Sequence, residues 1–194
     1  MIATPSFSGL SAALLHRSEW GIEPLLPQLE LLGLRTTRLW EPLDLAAHPV
    51  DLVLVDADQG WDGLLPWKAG AAPVPVVALL GSEAPGRIAW AMEQGAGALI
   101  TKPVVASAVY PALVMAAAVH AERRAVRERI GLLEERLRLR PVVHGAVRAV
   151  MAAQRLDEDA AYGVLRDTAM RRRMAIEHVA AAILTGRDPL SEAI

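Results

Sequence analysis

The six residues Asp51-Leu-Val-Leu-Val-Asp56 constrain this chain more than any other stretch. Four consecutive apolar positions leave no polar face, so a strand formed here must be buried on both sides. Such a strand belongs in a parallel sheet with helices on its faces. The neighbouring sequence supplies the rest. Residues 11–16 (SAALLH) and 34–39 (LRTTRL) fit strands, 74–80 (VPVVALL) is a second continuous apolar run, and Ala98–Thr101 is a last short one. Between them, residues 24–32 carry leucines at helical spacing and stop at Gly33, and residues 87–94 read as a helix that stops at Gly95. This alternation predicts right-handed βαβ units and a doubly wound, α/β parallel sheet.

From about Val104 the pattern changes to one long helix. Pro111 is expected in its first turn, or at a kink. Ala112, Ala116, Val119, Val126, Ile130, Leu133 and Leu137 then recur in steps of three and four, with Arg123 the only break and charged residues between. Such a stripe is a coiled-coil seam. It predicts a parallel homodimer through Val119, Val126, Ile130, Leu133 and Leu137; the alternative is an amphipathic helix packed back on its own domain.

Residues 140–184 read as three short amphipathic helices. The first is expected to open at Pro141, where a missing N–H costs little, and to end near Gln154. The second opens at Asp157, a good N-cap, with Glu158 and Asp159 against the positive end of the dipole. The third carries Ile176, Val179, Ala180, Ile183 and Leu184 and stops at Gly186. Helices this short need each other's apolar stripes to be stable in water. A three-helix bundle with arginine on its outside is therefore predicted.

Charge is divided between the two ends. Residues 1–119 hold 6 basic and 11 acidic side chains, a net of −5; residues 120–194 hold 14 and 11, a net of +3. The basic end is a nucleic-acid candidate only through clustering. The clustered residues are Arg140, Arg148, Arg166 and the run Arg171, Arg172 and Arg173, with Gln154 and Thr168 able to hydrogen-bond bases, Thr168 only if it is not buried in the bundle. A helix C-terminus alone favours one or two cations, by about 0.3–1 kcal/mol each; three in a row exceed that need. Tyr162 is the bundle's only aromatic and reads equally well as core.

The pattern Arg-Pro-Val-Val-x-x-Ala at 140–146, with Val150-Met151, Asp159-Ala160-Ala161, Leu165-Arg166, Ala169-Met170 and Val179-Ala180, resembles the ANTAR domain, an RNA-binding module of bacterial transcription antiterminators. Where that family usually has Ala-Lys-Gly, this chain has Ala146, Val147 and Arg148. The first half resembles a response-regulator receiver, of flavodoxin-like fold. That likeness puts Asp56 at the phosphoacceptor position and Lys102-Pro103 at the lysine–proline signature. The magnesium carboxylates are replaced by His16 and Arg17, and the hydroxyl position is Leu80 or Gly81. An arginine repels a magnesium ion, which wants carboxylate oxygens. Asp56 is thus expected to pair with Lys102 or Arg17 in a pseudo-receiver that takes no phosphoryl group.

The whole layout is similar to the AmiR branch of ANTAR proteins, the amidase-operon antiterminator type. It divides the chain into a pseudo-receiver domain (8–120), a coiled-coil dimerisation helix (105–140) and an ANTAR RNA-binding domain (140–186). The resemblance implies a transcription antitermination regulator that grips hairpin loops of a leader mRNA and blocks terminator formation. It also implies control by a small-molecule-sensing regulatory protein rather than by a kinase. A DNA-binding response regulator and a protein-interaction module are the rival readings, although no tight helix-turn-helix turn is evident. Trp61 and Trp67, in a loop-like stretch, are weak candidates for a partner surface.

Enzymatic chemistry finds no foothold. There is no cysteine, and His16, His48, His120, His144 and His178 show no metal-ligand spacing. No Gly-rich phosphate loop or nucleophile elbow is present, so neither cofactor nor metal is expected. Hydrophobic residues make up 53%, yet no run of about 20 is free of charge. The alanine-rich segment 106–119 is too short, and the N-terminus lacks a basic start for a signal peptide. A soluble, cytoplasmic, membrane-free protein is expected.

Overall fold

The computed structural model describes residues 5–187. The chain forms two compact units that divide between Ala125 and Val126. The first is built on five parallel strands: β1 (Ser11–Leu15), β2 (Arg35–Leu39), β3 (Leu52–Asp56), β4 (Val76–Leu80) and β5 (Ala98–Thr101). Their order is β2-β1-β3-β4-β5, with the order reversing beside β1. Every residue of β3 and β4 is buried, whereas the edge strands β2 and β5 are partly exposed. The all-apolar runs thus occupy the centre, as two-sided burial requires.

Helices α1 (Leu25–Leu31) and α2 (Pro85–Glu93) follow β1 and β4. One face of the sheet, with Leu14, Leu54 and Leu79, packs on Leu25 and Leu29 of α1 and on Val109, Leu113 and Ala116 of the helix after β5. The opposite face, with Leu15, Val55 and Leu80, packs on Trp90 and Ala91 of α2 and on the loop residues Leu43, Leu64 and Leu65. The sheet is doubly wound, but two crossovers, 40–51 and 57–75, carry no helix among the described residues. Pro42 and Pro49 interrupt the first; Gly60, Gly63, Pro66, Gly70, Pro73 and Pro75 interrupt the second. Their leucines still fill the core.

Helix α3 runs without interruption for 49 residues, Ala106–Gln154. This corrects two expectations. Pro111 lies beyond the first turn, and Pro141 opens no new helix but sits inside α3. An internal proline removes one backbone hydrogen bond and costs about 3 kcal/mol or more in isolation. Packing after Pro141 opposes that cost, because Ala146, Val147 and Val150 of the same helix are buried in the second unit's core.

That core is completed by α4 (Glu158–Arg172) and α5 (Ile176–Leu184). Asp157 caps α4: its side chain accepts from the Ala160 N–H at 2.8 Å. Arg173 ends α4 in the left-handed conformation, at φ 53°. Ala161, Leu165 and Ala169 of α4 meet Val179, Ala180 and Ile183 of α5. Gly145 allows α5 to approach α3 closely, since a Cβ there would lie 3.2 Å from a Leu184 methyl.

Candidate functional site

The first candidate site lies where the topology directs it, beyond the carboxyl ends of the strands beside the switch in strand order. His16 follows β1, Asp56 ends β3, Gly81 follows β4 and Lys102 follows β5. Asp56 is fully buried. Lys102 Nζ donates to its Oδ1 at 2.9 Å, and His16 Nε2 lies 3.2 Å from its Oδ2. Lysine pairing is as expected, but the second partner is His16 and not Arg17, which is exposed and whose carbonyl accepts from Arg38. The other ring nitrogen of His16 meets the Ser18 carbonyl. Burial pushes the imidazole below its ordinary 6.5, while the Asp56 carboxylate pulls the other way.

Asp58 was not anticipated. Lys102 Nζ lies 2.8 Å from its Oδ2. The Gly81 N–H donates to Oδ2 at 2.6 Å and the Ser82 N–H donates to Oδ1 at 3.1 Å. One ammonium and two backbone donors thus converge on a single carboxylate. Burial opposes ionisation of Asp58, but Lys102, Gly81 and Ser82 outweigh it and hold its pKa below the ordinary 3.8. Burial likewise lowers the pKa of Lys102, but the two aspartates prevail and raise it above 10.5. Gly81 is one of the two residues, with Leu80, expected where a receiver carries a hydroxyl, and a Cβ on it would come 3.1 Å from Asp58 Oδ2. The missing side chain is what admits the carboxylate. The donors that would hold an incoming anion are already engaged by the chain itself. A cavity of about 440 Å³ opens beside them, with Trp20, 79% exposed, on its rim. The two tryptophans considered for a partner surface are tied down: Trp67 donates to the Gln94 carbonyl, and Trp61 packs edge-on against Trp40.

Along α3 the seam residues Val126, Ile130, Leu133 and Leu137 are each about half exposed, with Val119 less so. Arg123, the break in the stripe, donates to the Gly95 carbonyl at 2.9 Å. It anchors the helix to the first unit, which is why an apolar residue is absent there.

In the second unit the arginines do not form one patch. Arg140, His144 and Arg148 are all exposed and share one stripe of α3 at four-residue spacing. Arg166 is exposed four residues beyond Tyr162, on the same face of α4. Arg171 lies roughly 140° around the axis from Arg166 at 3.6 residues per turn, and Arg173 is turned aside by its left-handed backbone. The run Arg171–Arg173 therefore fans out. Gln154 is exposed at the end of α3. Thr168 is buried, at 2% exposure, and its hydroxyl accepts from Arg171. Of the two alternatives left open for Thr168, the structure thus gives the buried one, from which it orients an arginine.

Two family models match this chain. The one described as AmiR, N-terminal, covers residues 10–117, more than half of the chain, and the one described as ANTAR domain covers residues 132–184. The chain is 28% identical over 170 residues to the aliphatic amidase regulator of Pseudomonas aeruginosa, across 86% of each protein. Among solved structures, full-length FixJ from B. japonicum matches with a TM-score of 0.45 at 17% identity, covering 96% of this chain and 94% of that one. ShkA Rec1 in complex with c-di-GMP matches at 0.42 and 21% identity, covering 57% and 94%. No described helix is long and apolar enough to cross a membrane. The chain belongs to the AmiR family of antitermination regulators, with a receiver-like sheet at its front and an ANTAR domain behind.

Proposed function

We propose that the protein binds hairpin loops in leader transcripts through its ANTAR domain and, in doing so, prevents a terminator from forming. The observation that carries this reading is the ANTAR match over residues 132–184, which falls on a bundle with exposed arginines on α3 and α4. Arginine suits looped RNA, because its planar head both stacks on splayed bases and pairs with phosphate. Arg140, Arg148, Gln154, Arg166 and Arg171 to Arg173 are the contact candidates, with Thr168 holding Arg171. In the same reading, residues 8–120 are a pseudo-receiver, 105–140 a dimerisation helix and 140–186 the RNA-binding domain. Two copies join through Val119, Val126, Ile130, Leu133 and Leu137, whose exposure in a single chain favours a partner helix. Control comes from a small-molecule-sensing protein that docks on the regulator, since the phosphoryl site is filled by Asp58. The work is cytoplasmic, on nascent transcripts, and involves no catalysis.

Gel shifts at physiological salt test the reading. The full chain retains a leader hairpin and not duplex DNA of the same sequence. Changing Arg171, Arg172 and Arg173 together to Ala abolishes retention without loss of helicity. Unaltered retention by the triple variant rejects the assignment of these residues, and equal retention of duplex DNA rejects the RNA function itself.

A further inference from the structure

Tyr162 is the only aromatic residue after Tyr110. It lies on α4 between the buried Ala161 and Leu165, yet the residue is 46% exposed. It borders a cavity of about 380 Å³ whose other walls are Arg140, Val143 and His144 of α3 and Ile176 and Glu177 of α5. Val143 and Ile176 pack on the bundle core and give the cavity an apolar wall. The remaining four residues bring an aromatic face, a guanidinium, an imidazole and a carboxylate to one place. Among the described residues, the side chains of Arg140, His144, Tyr162 and Glu177 make no hydrogen bond or ion pair within the chain. Packing accounts for none of these four polar heads. The dipole of α5 accounts for an acid at Glu177, in its first turn, but not for the rest.

An exposed aromatic face beside an arginine is a stacking platform for an unpaired base. Glu177 decides which base. An ionised carboxylate only accepts hydrogen bonds, so its ligand must present donors. The Watson–Crick edge of guanine offers two adjacent donors, N1–H and the 2-amino group, matching the two carboxylate oxygens. Adenine and cytosine offer one amino group beside an acceptor nitrogen, and uracil one N–H between two carbonyls; each would set an acceptor against the second oxygen. Within a duplex that edge is already paired. Resting on the RNA-binding reading above, we propose that this cavity seats one unpaired guanine, stacked on Tyr162 and read by Glu177, with Arg140 on the adjoining phosphate.

The test uses the full-length chain and a pool of RNA hairpins with randomised loops, enriched by repeated retention. The enriched loops share a required guanine. Inosine at that position, which lacks the 2-amino group, binds about tenfold more weakly. Y162A weakens every loop by about tenfold or more while Y162F retains wild-type affinity, because the stacking face survives. E177Q, of the same shape, loses the discrimination between guanine and inosine. Circular dichroism confirms that the variants keep wild-type helicity. If the wild-type chain enriches no hairpin, the RNA-binding reading falls and this inference with it. If hairpins are retained but Y162A and E177Q bind them with unchanged affinity and base preference, the cavity is not the guanine site, and RNA binding stands without it.

Discussion

At the residue scale, the feature that most sets this protein apart from a phosphorylatable receiver is Asp58. Its carboxylate draws together the Lys102 ammonium and the adjacent N–H groups of Gly81 and Ser82, three donors from two segments of the chain. Hydrogen bonds to a charged group are worth about 1.5–3 kcal/mol each when they can be measured, so D58A destabilises the first unit by an amount of that order. It also leaves the donors without an anion. Inorganic phosphate therefore raises the melting temperature of D58A but not of the wild type, as a thermal-shift titration reads directly. The pH dependence follows from the same contacts. Because folding lowers the Asp58 pKa below 3.8, its contribution is fully present above that value and is lost as pH falls through the depressed one. Wild type and D58N should differ in stability near neutrality and converge in acid below the depressed value, as urea melts at several pH values would report. Asp58 was not legible in the sequence because it sits in a loop. Periodicity fixes the end of β3 and hence Asp56, but it cannot say that the chain then turns a carboxylate back toward β4.

At the element scale, reading was most successful where burial leaves one solution and least where two local rules compete. The run ending at Asp56 could only be a central strand, and it is one. Pro141 satisfies the rule for a helix start and is disfavoured inside a helix, yet α3 runs through it from Ala106 to Gln154. The cap of α4 was readable because Asp157 acts on its own helix. D157A should remove the bond to Ala160 and cost about 0.5–2 kcal/mol, measured as a shift in the urea midpoint of the second unit. The stripe on α3 makes a different demand. Ile130 and Leu133 are each near half exposed, an uneconomical arrangement for a lone helix. Replacing both with Glu, I130E/L133E, converts the dimer to a monomer in analytical ultracentrifugation and leaves the first unit's spectrum unchanged. A wild-type monomer at tens of micromolar would remove the seam from the account. Tyr162 shows the limit of periodicity from the other side: it shares its face of α4 with the exposed Arg166 as well as the buried Leu165, and its own exposure depends on where α3 and α5 leave a gap.

At the scale of the whole molecule, the order β2-β1-β3-β4-β5 gathers His16, Asp56, Gly81 and Lys102 at one end of the sheet although they are far apart in sequence. Strand alternation predicted the doubly wound sheet and the receiver resemblance predicted that gathering, while the helix-free crossovers were hidden because their leucines can fill a core from a loop as well as from a helix. With Asp56 buried between Lys102 and His16, acetyl phosphate with magnesium adds no mass to the intact protein; a stoichiometric phosphoryl gain would overturn the pseudo-receiver. The bare backbone at Gly81 is tied to the carboxylate it faces. The Cβ of a serine or threonine placed there would lie 3.1 Å from the Asp58 oxygen, so such a side chain enters only if that carboxylate shifts. Removing Asp58 first opens the space but leaves an empty, weakened loop. Either change alone is therefore disfavoured, and the bare backbone and the carboxylate behave as a coupled pair that must change together.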